Sequence, residues 1–170
     1  IPEIAERVIT INGMSKAYAM TGWRLGYALW PESLIDAARK LAVNAWSCVN
    51  AASQYAGIAA LTGPQDAVEA MVAAFDRRRT LVVEGLNRLP GVSCRTPTGA
   101  FYAFPSIKET GFKAKPLAGR LLETAGVALI RGPDFGILGE GYMRLSYAAS
   151  EAEIEEALER IGHFLATETP

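Results

Sequence analysis

The stretch from Gln65 to Leu89 constrains the fold more than any other part of the sequence. Val68, Met71, Val72, Phe75, Val82, Leu86 and Leu89 recur close to the 3.6-residue period of an amphipathic helix, and Pro90-Gly91 stops it. A helix this long commonly bridges two lobes, so the patterns on either side are read separately. Before it, Arg7 to Asn12 alternate apolar and polar residues with β-branched members, as a strand does, and Trp23 to Trp30 form a second strand-like run closed by Pro31. Helical runs follow from Glu32 to Val43 and from Gln54 to Leu61, and Thr62-Gly63-Pro64 interrupts them. After Gly91 the pattern is α+β: strand-like VSCRT and AFYAF, a helix over Lys115 to Thr124 stopped by Gly126, then VALIR and YMRLSYA. A last helix follows, with Ser150 and Glu153 at capping-box spacing and an apolar stripe of Ile154, Ala157, Leu158, Ile161 and Leu165.

Composition excludes several classes. With 170 residues, 50% hydrophobic and 21% charged, the chain is of the ordinary globular kind. The net charge is -1 and the cations are scattered, so no nucleic-acid footprint is present. No apolar run approaches the roughly 18 residues that would span a bilayer, and IPEIAERVIT has no signal-like core, so a cytoplasmic location is expected, with no membrane partner. Cys48 and Cys94 follow no metal or disulfide spacing and are expected to be buried free thiols. His163 is the only histidine and stands on the last helix, so no metal site is expected. The consecutive Arg77, Arg78 and Arg79 read as a solvated helix face.

The chemistry is concentrated in cations that stand in apolar surroundings. Lys16 follows the first strand on a turn, and Arg24, enclosed by Gly22 and Gly26, comes eight residues later within a strand-like run. A charge in such a run is costly unless it meets an anion, and flanking glycines permit close approach by a ligand, of which phosphate is the natural candidate. A lysine near a second cation has a lowered pKa and can attack an aldehyde to form a Schiff base, whereas arginine stays charged and fits phosphate oxygens. On spacing alone, the two residues could equally be exposed charges at strand ends.

The segment GMSKAYAMTGWRLG, from Gly13 to Gly26, resembles the pyridoxal-phosphate attachment signature of the class I (class I/II) aminotransferases. The resemblance implies that Lys16 carries the cofactor as an imine and shuttles a proton, and that Arg24 holds its phosphate. Where some members have a phosphate-binding serine, this chain has Gly13, and Ser15 is the candidate substitute. RGPDFGILGEGYMRLSYAAS resembles the family's carboxy-terminal motif, which implies that Arg144 binds the substrate α-carboxylate. Strand alternation agrees, with Met143, Leu145 and Tyr147 on one face and Arg144 and Ser146 on the other. PTGAFYAFP also resembles a family segment that borders the substrate pocket, and Phe101, Tyr102 and Phe104 are read as strand packing. Ser47 and Asn50 lie where members carry a polar loop that reaches the partner subunit.

The implied fold is α/β, of PLP-dependent transferase fold type I. Residues 1–63 form the end of the large, mainly parallel sheet domain, 64–90 the connecting helix and 91–170 the small α+β domain. The resemblance covers only the later part of the family's sequence, without its phosphate loop, ring-stacking aromatic and pyridine aspartate. It therefore implies an aspartate aminotransferase-like C-terminal fragment that is inactive alone. The parent would be a homodimer moving an amino group from an L-amino acid to a 2-oxo acid, aspartate with 2-oxoglutarate being the expected pair. A lyase or synthase of the same fold, and a non-catalytic ligand-sensing domain of a transcription regulator, are the alternatives.

Overall fold

The computed structural model describes residues 2–170. Its contacts divide the chain into two compact units, one ending at Ala70 and the other running Met71–Pro170, with the boundary inside the long helix.

In the first unit, β1 (Thr10–Gly13) and β2 (Gly26–Leu29) pair antiparallel, from Thr10 opposite Leu29 to Gly13 opposite Gly26. The expected end of a mainly parallel sheet is thus represented within this chain by one antiparallel pair. The strand begins at Thr10 rather than Arg7, because Pro2–Arg7 winds into a 3₁₀ helix. The turn expected at Lys16 is a single helical turn, α1 (Met14–Ala17). Helices α2 (Ile35–Trp46) and α3 (Ala51–Thr62) follow, and the Asn50 side chain caps α3 by accepting from the Ser53 N–H at 2.8 Å. Among the described residues, Met14 and Met20 are the large apolar side chains buried in this unit, whereas Ile11, Leu29, Leu41, Trp46 and Tyr55 are exposed. Cys48 is exposed as well, contrary to expectation, because it lies in the irregular segment between α2 and α3, just after Ser47 turns the chain at φ 62°.

Helix α4 (Asp66–Asn87) enters the second unit. Of its apolar stripe, Val82 and Leu86 are buried, Phe75 and Leu89 pack at the edge of the core, and Val72 stays exposed. The sheet is antiparallel in the order β3 (Tyr102–Ala103), β5 (Met143–Ser146), β4 (Ile130–Arg131). VSCRT supplies only a bridge, Ser93 to Ser106. Helix α5 (Ala114–Arg120) continues as a π turn over Leu121–Ala125 and ends where Gly126 adopts φ 65°.

Two apolar clusters make the core. One joins Val82, Val83 and Leu86 of α4 to Leu145 and Tyr147, and to Ile154 and Leu158 of α6 (Glu151–Thr167). The other joins Met143 to Leu117, Leu121, Ile161 and Phe164. The inward face of β5 therefore feeds both clusters. Cys94 is buried in the first, where desolvation pushes its thiol pKa up.

Ser150 caps α6 in a full capping box: its hydroxyl accepts from the Glu153 N–H, and the Glu153 carboxylate accepts from the Ser150 N–H at 2.8 Å. The Ser150 N–H, and its hydroxyl donating at 2.7 Å, hold the Glu153 carboxyl below its ordinary pKa. A depressed folded pKa adds stability that is present above the ordinary carboxylate value and is lost as pH falls through the folded one. Ser150→Ala is therefore expected to lower stability near neutral pH and to lower it less in acid, read from the chemical-denaturation midpoint at two pH values.

Candidate active site

The Lys16 turn is built by close backbone approach. The Met14 N–H donates to the Leu25 carbonyl at 3.0 Å, extending the hairpin past Gly13, and Met14 is buried beneath it. A Cβ on Gly26 would stand 3.0 Å from the Asn12 carbonyl oxygen, so glycine keeps the two chains close. Asn12 accepts from the Gly13 N–H at 2.8 Å through Oδ1 and donates to the Tyr27 hydroxyl at 3.3 Å. Lys16 is exposed on α1, with Ser15 half-buried beside it.

Arg24 closes the 3₁₀ turn Thr21–Trp23 in the left-handed region, at φ 52°, and Ala19 shares that φ. Such conformations cost about 1–3 kcal/mol each and cluster where a ligand is held. The Arg24 guanidinium donates to the Thr21 carbonyl at 3.1 Å and is otherwise exposed. Gly22 has open space where a side chain would stand, in a recess of about 520 Å³ lined by Ala19, Gly22, Trp23, Asn50 and Ser53. Buried Ser53 donates to the Trp23 carbonyl at 3.3 Å and ties α3 to the turn. A primary amine, a guanidinium and open backbone on one connection match the aldehyde and phosphate of pyridoxal phosphate. Asn50, read as a loop polar group, spends its side chain on the α3 cap.

Arg144 stands on the outward face of β5, half-buried, while Met143, Leu145 and Tyr147 are buried on the other face. Its guanidinium lies between two rings, 4.4 Å from the Tyr102 centroid and 4.5 Å from that of Phe135. Arg120 offers a contrast. It too lies over two rings, Phe112 at 5.1 Å and Phe164 at 5.3 Å, but its N–H groups are spent on Glu168 and on the Thr169 carbonyl at 2.7 Å. Among the described residues the Arg144 guanidinium makes no side-chain hydrogen bond or ion pair beside its two ring contacts, so its edge is available for a planar anion. The Arg77–Arg79 face is tied within its own unit rather than simply solvated: Arg77 pairs with Glu151 at 3.2 Å and Arg79 with Asp76 at 2.5 Å, while Arg78 lies over Phe75 at 5.4 Å.

Tyr102, assigned to packing from sequence, thus faces the candidate site, and Phe135 was passed over. The available signal was an aromatic residue set between glycines just ahead of the arginine strand. Its loop is closed by contact between Gly132 and Gly139, where a Cβ on either would come within 2.0 Å of the other's carbonyl oxygen. Lys16, Ser15 and Arg24 share one connection of the first unit, and Arg144 belongs to the second.

The chain matches the family described as Aminotransferase class I and II over residues 2–161 and belongs to it. It is 46% identical over 170 residues to an aspartate aminotransferase of Rhizobium meliloti, an alignment that covers 94% of this chain and 41% of the relative. Among solved structures, an aspartate aminotransferase from Rhizobium meliloti superposes with TM-score 0.89 at 44% identity, covering 98% of this chain and 44% of the other. An aromatic aminotransferase from Pyrococcus horikoshii OT3 gives TM-score 0.91 at 42% identity, again over 98% and 44%. The chain therefore spans about two fifths of the length of the relatives it matches, and its mixed α/β structure is that of part of the fold-type-I aminotransferases. Among the described residues no helix is long and apolar enough to cross a membrane, and no acidic, His or Cys cluster could hold a metal ion.

Gly139→Ala is expected to cost on the order of 1–3 kcal/mol, because the opposing atoms are backbone and cannot step aside; an unchanged denaturation midpoint would show that the loop yields freely.

Proposed function

We propose that this chain supplies three cationic groups to an aminotransferase that moves an amino group from an L-amino acid to a 2-oxo acid with pyridoxal 5'-phosphate. The observation that carries the reading is an amine and a guanidinium, Lys16 and Arg24, on one tight hairpin connection of a class I and II aminotransferase chain. Lys16 would hold the cofactor through its amine and then move a proton at the substrate Cα. Arg24 would bind the phosphate, with Ser15 as a further donor. Arg144 would grip the α-carboxylate and so orient the Cα–H bond. When bound, the cofactor supplies an electron sink for the carbanion.

Residues 1–63 are assigned to the large cofactor domain, 64–90 to the connecting helix and 91–170 to the small domain. The relatives named aspartate aminotransferase support L-aspartate as the amino donor, and 2-oxoglutarate is the proposed acceptor. A cytoplasmic homodimer, with no nucleic acid or membrane partner, completes the proposal.

Residues 1–170 alone, given pyridoxal phosphate, L-aspartate and 2-oxoglutarate, are expected to show no turnover; sustained turnover would contradict the fragment reading. In the full-length protein, hydride reduction of the cofactor-loaded state is expected to label the peptide containing Lys16, and label on another lysine would overturn the assignment. Arg24→Ala is expected to weaken cofactor affinity by about a hundredfold, the loss of two charge-assisted hydrogen bonds, measured by equilibrium dialysis.

A further inference from the structure

We propose that Tyr102 and Phe135 are positioning residues that hold the Arg144 guanidinium by its two faces, so that only its edge is presented to a substrate carboxylate. This rests on the reading of Arg144 as the carboxylate anchor. The two rings come from opposite sides of β5. Tyr102 is on β3, directly opposite Ser146, and therefore on the same sheet face as Arg144, two residues away. Phe135 is on the loop after β4, whose Ile130 pairs with Arg144. That loop is held by the Gly132–Gly139 contact and by Arg131, which donates to both oxygens of Asp134 at 3.1 and 2.6 Å.

A guanidinium has electron-poor faces that suit aromatic rings and an N–H edge that suits a carboxylate, so the two kinds of contact do not compete. Clamping both faces removes, before the substrate arrives, the rotamer freedom that a long side chain otherwise loses on binding. The contrast with Arg120 shows what the arrangement does when the edge is occupied: it becomes an internal latch onto Glu168. At Arg144 the same clamp, with shorter ring distances, is left open at the edge.

The test uses the full-length, cofactor-loaded protein with L-aspartate as donor. Tyr102→Leu and Phe135→Leu are each expected to raise the KM for L-aspartate about fivefold to tenfold with kcat within about twofold, the signature of lost binding. Tyr102→Phe and Phe135→Tyr, which keep the rings, are expected to retain the parental KM. A second readout is independent of activity: the Arg144 Nε–H proton, shielded by two ring faces, is expected to move downfield in Phe135→Leu. Parental KM in both leucine variants, or an unmoved resonance, overturns the proposal. Arg144→Lys separates the two levels: if it leaves the KM unchanged, the carboxylate reading itself fails. Phe135 is half exposed on a surface loop, so its replacement leaves the core intact. Should Tyr102→Leu unfold, fluorination of the Phe135 ring keeps the shape and depletes its face; a raised KM supports the clamp and an unchanged KM overturns it.

Discussion

Burial of one face of β5 is the constraint on which the second unit depends. Met143 enters one apolar cluster while Leu145 and Tyr147 enter the other, so a four-residue strand links helices α4, α5 and α6. Each such side chain contributes about 1.5–3 kcal/mol when fully buried. Because strand side chains alternate, the same burial that secures the core turns Arg144 outward, between rings carried by the two neighbouring chain segments. The core and the Arg144 edge proposed to bind an anion are therefore two faces of one strand.

The first unit works by a different constraint. Gly13 and Gly26 sit opposite one another and bring the hairpin backbones close, and the connection between them carries Lys16 on an exposed helical turn and Arg24 in the left-handed region. Little apolar burial backs this arrangement within the unit. A two-stranded ribbon is marginal by itself, and Ile11, Leu29, Trp46 and Tyr55 are large apolar side chains left exposed in this unit. Relatives more than twice as long as this chain are consistent with that physical picture.

Local rules made part of this legible in the sequence. The α6 start followed from the Ser150/Glu153 spacing because a capping box is made by residues three apart, and the Arg144 side of β5 followed from period-two alternation. Lys16, Arg24 and Arg144 were legible as candidates because each stands in an extended motif. What escaped was non-local or too short to have a period. The single turn of α1 gives no periodic signal, VSCRT keeps only one bridge, and Cys48 is exposed on the irregular segment between α2 and α3. Tyr102 looked like any strand aromatic until pairing with β5 set it beside Arg144, and Phe135 reaches the same guanidinium only through a loop closed by two glycines.

The most direct measurement is a crystal structure of the full-length protein with pyridoxal phosphate and a substrate analogue that keeps the α-carboxylate but lacks the amino group. The Arg144 edge is predicted to meet the analogue's α-carboxylate while Tyr102 and Phe135 cover its faces, with Lys16 Nζ at the cofactor's aldehyde carbon and Arg24 on the phosphate. A carboxylate held by another cation, or a lysine other than Lys16 at that carbon, would contradict it.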